Sequence, residues 1–126
     1  MNETPKFVPA IRLKNTPDGS CTFEMGKLPV LKTISTSSFR ISNTVEEWEK
    51  SDHPAPRRQY VVTLKGKIRF KVSNGDTFLI EPGIILLAED IEGKGHSWKF
   101  EEGEAWERLY IPIPDHGESF FIADYK

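Results

Sequence analysis

The stretch His53-Pro-Ala-Pro-Arg-Arg-Gln59-Tyr-Val-Val-Thr-Leu-Lys-Gly66, continued by Lys67-Ile-Arg-Phe-Lys-Val72, decides the fold class. In extended backbone, side chains two apart share a face. Lys65, Lys67, Arg69 and Lys71 therefore fall on one face, and Ile68, Phe70 and Val72 on the other. That strict period of two marks a half-buried strand over residues 65–72. Residues 58–64 are rich in β-branched and aromatic side chains and read as a second strand, with Gly66 as a turn signal. Just upstream, His53, Ala55, Arg57 and Gln59 point to one side if the extended run continues without a bulge.

The same grammar extends outward in both directions. Nine Gly and nine Pro cut the chain into pieces too short for long helices. Asp18-Gly19 and Asn74-Gly75 are two-residue hairpin signals, because both central positions favour positive φ. Residues 28–33, 38–42, 77–80 and 84–88 read as strands, and 84–88 is apolar on both faces, as a core strand would be. Trp98 and Phe100, then Trp106, Arg108 and Tyr110, fall on two later strands joined by a turn at 101–104, and 120–122 reads as a last edge strand. The one helical segment is 44–50, where Thr44 and Glu47 have capping-box spacing. Short strands at this turn spacing predict an all-β sandwich or barrel. At 126 residues the chain predicts one domain, read as an N-terminal arm over 1–20 and a barrel over 21–126.

Composition narrows the function classes. Lys plus Arg is 17 and Asp plus Glu is 19, a net charge of −2, which argues against a nucleic-acid partner. With that net charge and the nearby acidic cluster Glu101, Glu102, Glu104 and Glu107, the basic ladder on 65–71 reads as a solvated or edge-protecting face. No apolar run approaches the length of a membrane span. Cys21 is the only cysteine, so an intrachain disulfide and a multi-cysteine zinc site are excluded. Residues 1–10 lack the apolar centre of a secretion signal, and a cytoplasmic location is the expectation. There is no phosphate-cradling glycine loop, so no nucleotide cofactor is expected, and no nucleophile elbow.

A second stretch completes the pattern: Glu81-Pro-Gly83-Ile-Ile-Leu-Leu-Ala-Glu89-Asp90-Ile-Glu-Gly-Lys-Gly-His96, a turn, a core strand, an acidic pair, a glycine-containing loop and a histidine. Together the two stretches resemble the cupin superfamily of small jelly-roll β-barrels. That family's first motif has two histidines separated by one residue, a glutamate four further on, and a turn glycine after six more. His53 matches the first histidine and Gly66 the glycine, while Ala55 and Gln59 replace the second histidine and the glutamate. Pro82-Gly83 and His96 match the second motif, with a loop about two residues longer. The resemblance covers residues 50–100 and implies a single-domain cupin jelly-roll barrel, commonly a homodimer.

It also implies a metal site with two of its four ligands replaced. Three candidate ligands are left: His53, Gln59 and His96. Alanine offers no donor, and a glutamine amide oxygen is neutral and weaker than a carboxylate. Two His and one oxygen still make an open site for zinc, manganese, nickel or iron, and the missing anionic ligand disfavours an oxygenase. Glu89, Asp90 and Arg57 are the candidate catalytic groups. A carboxylate among apolar walls titrates high enough for acid–base work, and an inward Arg57 needs a carboxylate or an anionic ligand. Extended backbone lets only one of Glu89 and Asp90 face the cavity, and Glu89 is favoured. A structural ion pair with Arg57 is the competing reading for both acids. Phe70, Trp98, Phe100, Trp106 and Tyr110 read mainly as core or subunit-interface residues, some of which also suit a pocket wall. Two functions stay open. One is an enzyme of the isomerase, epimerase, lyase or cyclase type acting on a small polar substrate. The other is a non-catalytic module that senses or carries a small molecule, for which Ala55 speaks.

Overall fold

A computed structural model describes residues 6–124; residues 1–5 of the expected arm and residues 125–126 lie outside it. The elements are β1 (Phe7–Asn15), β2 (Cys21–Pro29), β3 (Arg40–Ser42), α1 (Glu47–Lys50), β4 (Gln59–Lys71), β5 (Thr77–Ile80), β6 (Ile85–Ala88), β7 (Ser97–Pro112) and β8 (Ile122–Ala123). The fold is all-β, as the turn spacing predicts. One eight-stranded sheet runs β3-β7-β4-β6-β1-β2-β8, with β5 paired to β4.

The sheet rolls up on itself. β5 and β2 are not ladder neighbours, yet Phe78 and Phe23 lie with ring centroids 4.7 Å apart. Cys21 N–H donates to Ser73 Oγ at 2.8 Å and Ser73 N–H to the Cys21 carbonyl at 3.1 Å, joining the start of β2 to the β4–β5 turn. The interior cluster accordingly draws on Ile11, Cys21, Val61, Phe70, Phe78, Leu86 and Trp106 from six strands. A second apolar cluster, with Ala10, Leu28, Tyr60, Leu87 and Ile113, covers the other face. Val61 and Leu86 enter the first cluster while their neighbours Tyr60 and Leu87 enter the second, so the strand that reads as apolar on both faces is buried on both.

Four expectations about elements change. The strand expected over 28–33 is instead the end of β2, which stops at Pro29 before a turn at 30–31. Residues 7–15 of the expected arm form β1, which lies inside the sheet between β6 (parallel) and β2 (antiparallel). Pro9 obscured that strand. It sits just before the β6 pairing begins at Ala10, where its missing N–H breaks no bond to β6. The two strands expected over 58–72 are one, β4, and the two later aromatic strands are one, β7; the register between them shifts at Lys65 and Lys67. Gly66, at φ 124°, is a bulge within β4 rather than a chain reversal. A Cβ there would stand 2.5 Å from the Ala105 carbonyl oxygen. Odd-numbered Val61 and Thr63 point inward before the bulge, and even-numbered Ile68 and Phe70 after it. Finally, α1 spans four residues with Glu46 as N-cap and no side-chain cap, so Thr44 does not start it.

The charged face of β4 and β7 is exposed and laced by cross-strand ion pairs. Lys67 Nζ bonds Glu102 at 3.0 Å, and Arg69 makes a two-pronged contact with Glu101 at 3.0 and 3.1 Å. Among the described residues no helix is long and apolar enough to cross a membrane.

Candidate functional site

The inward faces of β4, β6 and β7, with β3, α1 and the 53–57 segment at one end, enclose a cavity of about 350 Å³. His53, Gln59 and His96 all line it, as do Ala55 and Arg57. Backbone geometry brings the histidines together: His53 N–H donates to the His96 carbonyl at 2.9 Å and His96 N–H to the His53 carbonyl at 3.0 Å. The bridge is close-packed because of Gly95. A Cβ at that position, where φ is 73°, would collide with the backbone of His53 and Pro54. The imidazole centroids lie 4.7 Å apart.

Each ring has its Nδ1 committed. His53 Nδ1–H donates to the Ser51 carbonyl at 2.8 Å, and His96 Nδ1–H to Asp90 Oδ2 at 2.5 Å. A protonated Nδ1 leaves the lone pair on Nε2, so each histidine keeps one acceptor nitrogen for a ligand. Burial pushes the His53 pKa down, which favours this neutral form. Gln59 is buried, and its Oε1 has no hydrogen-bond partner among the described residues. An orphaned buried acceptor in the same cavity lining as two imidazoles is what a bound group would satisfy.

The acidic pair behaves differently from expectation. Glu89 points away from the cavity and is held on the other face by Arg12 Nε at 2.5 Å and Arg58 Nε at 2.7 Å. The pairing carboxylate thus meets Arg58, while Arg57 is exposed at the cavity rim. Alternation explains both exchanges: Arg57 and Gln59 share the cavity side, and Arg58 falls opposite. Asp90 is the inward member. It is fully buried behind His96, where Oδ2 also accepts from Cys21 Sγ at 3.4 Å and Oδ1 has no partner among the described residues. It does not line the cavity; its contact there is with the His96 ring.

Cys21, Asp90 and His96 also stand as a possible metal-binding group, with one ligand atom from each within 4.8 Å of the others. Here those atoms are engaged with one another. Burial, reinforced by the Asp90 charge, pushes the Cys21 thiol well up, so it keeps its proton and donates it to Asp90.

Residue-level reading missed the ion pair behind the β7 wall, whose buried arginine does not itself line the cavity. Arg108 is 1 % exposed, and its guanidinium donates to Tyr110 Oη (2.9 Å), the Trp106 carbonyl (2.8 Å) and Glu49 Oε2 (3.2 Å). Its Cζ lies 4.5 Å from the Trp106 centroid and 5.4 Å from that of Tyr110. The signal for it was the spacing Trp106-x-Arg108-x-Tyr110, a cation between two aromatics on one strand face. Trp48 of α1 lines the cavity edge-on to His53, with centroids 5.3 Å apart. Of the five aromatic residues considered from sequence, Phe70, Trp106 and Tyr110 line the cavity, and Trp98 and Phe100 belong to the core.

No family model and no curated protein matches the chain. A solved structure assigned as ethanolamine utilization protein Q from Salmonella typhimurium LT2 aligns at 15% identity, covering 87% of this chain and 98% of that chain, with a TM-score of 0.35.

Proposed function

We propose that this protein binds a small molecule in a cupin-type barrel cavity, with a divalent metal ion held by His53, His96 and Gln59. The observation that supports this reading is the locking of both histidines by their Nδ1 partners, a carboxylate in one case and a backbone carbonyl in the other. That is the arrangement metal-bound histidines use, since the outer bond fixes the ring and raises the basicity of the free nitrogen. The donor set fits an open site: two imidazole Nε2 atoms and the unpartnered Gln59 Oε1. A bound divalent ion would supply Lewis acidity toward a carbonyl or enol oxygen. The chain's own residues do the rest. Asp90 and Ser51 hold the ring protons on the sides away from the cavity, and Phe70, Trp106 and Leu86 exclude water from the wall. With no anionic ligand in the set, isomerase, lyase or cyclase chemistry fits better than oxygenation.

A second reading rests on Ala55. It is buried against the cavity where the resemblance places a further histidine, and it contributes no donor. On that reading His53, Arg57, Gln59 and His96 hydrogen-bond an organic ligand that leaves unchanged. Elemental analysis per subunit, on protein purified without an affinity tag or chelator, separates the two. Near one equivalent of metal, lost in His96→Ala, is expected. Protein that stays metal-free after incubation with zinc, manganese, nickel or iron(II) overturns the metal site and leaves the second reading. The homodimer implied by the resemblance belongs to the same proposal, and a sedimenting mass of twice 14.4 kDa is expected.

A further inference from the structure

The arginines of this chain divide into two groups. Arg12 and Arg58 grip Glu89, Arg69 grips Glu101, and Arg108 grips Glu49. The two left over, Arg40 and Arg57, have no carboxylate within ion-pair distance among the described residues, and both line the same cavity. They reach it from different parts of the chain, Arg40 from β3 and Arg57 from the segment before β4. Arg40 lies over the Tyr110 ring, its Cζ 4.9 Å from the centroid, a contact that orients the guanidinium and leaves its charge uncompensated. The one carboxylate in the lining is Glu49, already neutralised by Arg108. The cavity therefore carries two free positive charges at an exposed rim, above walls of Trp48, Trp106 and Phe70.

We infer that the ligand is a small organic anion, its charged group held at the rim by Arg40 and Arg57 and its body against the aromatic wall. A guanidinium presents parallel N–H donors that match carboxylate and phosphate oxygens, and two of them at a concave mouth above apolar walls raise the local concentration of anions. The walls suit a planar or apolar body, and a cavity of about 350 Å³ admits a molecule the size of a substituted benzoate. This ligand class rests on the cavity being the binding site, as proposed above, and does not depend on the metal.

The test is titration calorimetry on the full chain, with and without one equivalent of zinc, using benzoate, phenyl phosphate and the neutral benzamide as probes. At least one anion is expected to bind about tenfold more tightly than benzamide, the scale of one charge-assisted contact. The tighter of the two anions tells a carboxylate ligand from a phosphate. Arg40→Gln and Arg57→Gln are each expected to weaken the anion by about tenfold and leave benzamide unchanged. Both residues are exposed, so an unaltered thermal midpoint is the folding control. Equal binding of benzamide and both anions overturns the inference. So does the absence of anion binding at millimolar concentration, or full affinity in both glutamine variants. Zinc content measured on the same samples keeps the two proposals apart. Anion binding without zinc uptake removes only the metal, and zinc uptake without anion selectivity removes only the ligand class.

Discussion

Asp90 shows how much a single carboxylate does without touching the cavity. Its Oδ2 receives the His96 Nδ1 proton and the Cys21 thiol proton, which fixes the imidazole tautomer and its rotation about χ2. Asp90→Asn keeps the shape but replaces a carboxyl group whose Oδ2 accepts twice by an amide whose N–H groups find no acceptor there. We expect metal affinity to fall by about 10- to 100-fold, the usual range for losing an outer carboxylate partner. We also expect stability to fall by about 1–3 kcal/mol from buried unpaired polar atoms. Competition with a chromogenic zinc chelator reads the first and urea unfolding the second. Unchanged zinc affinity in a folded variant would show that His96 does not depend on Asp90. The inward role of Asp90 was half legible in the sequence. Alternation says that one of Glu89 and Asp90 faces inward, and it runs on from β6, where Leu86 and Ala88 line the cavity and Leu87 does not. But β6 is apolar on both faces, so nothing local tells which face is the inner one.

At the scale of elements, the long strand β4 does two jobs because it bulges at Gly66. Ahead of the bulge, odd-numbered residues place Gln59 and Val61 in the cavity; after it, even-numbered residues place Ile68 and Phe70 in the core. Gly66→Ala adds a Cβ that meets the Ala105 carbonyl and forces a side chain into positive φ. A loss of about 1–3 kcal/mol is expected, read as a lower urea midpoint at unchanged slope. A variant as stable as the parent would mean that β4 relaxes into another register. From the sequence, Gly66 reads as punctuation between two strands. Glycine at positive φ signals both a reversal and a bulge, and only the pairing with β7 tells them apart. The hairpin signal Asp18-Gly19 was the better guide, since a hairpin needs a strand on each side, and β1 supplies the one that Pro9 disguised.

For the whole molecule, the rolled sheet has apolar residues on both faces. The second cluster is closed by the C-terminal segment, where Ile113 and Phe121 pack over Tyr60 and Leu87, and Tyr60 Oη donates to the Ser119 carbonyl at 2.6 Å. Leu87 is wholly buried in it. Leu87→Ala is expected to cost about 2–5 kcal/mol, comparable to a core truncation inside the barrel, with the thermal midpoint as readout. A loss below about 1 kcal/mol would show that the C-terminal segment is loosely docked and that the barrel interior alone carries the fold.

What the sequence determined by itself is whatever local periodicity and local chemistry encode. Strands follow from alternation, hairpins from Asp18-Gly19 and Asn74-Gly75, and the two histidine-bearing stretches from residue type and spacing. The tertiary structure alone decided which side chains converge. The Arg108–Glu49 pair, the Glu89 clamp by Arg12 and Arg58, and the solitary charges of Arg40 and Arg57 join positions far apart in the chain. Charge pairing over such separations depends on which face each strand presents once the sheet has rolled, and that phase is set by bulges and crossovers that leave only a weak trace in any short window of sequence.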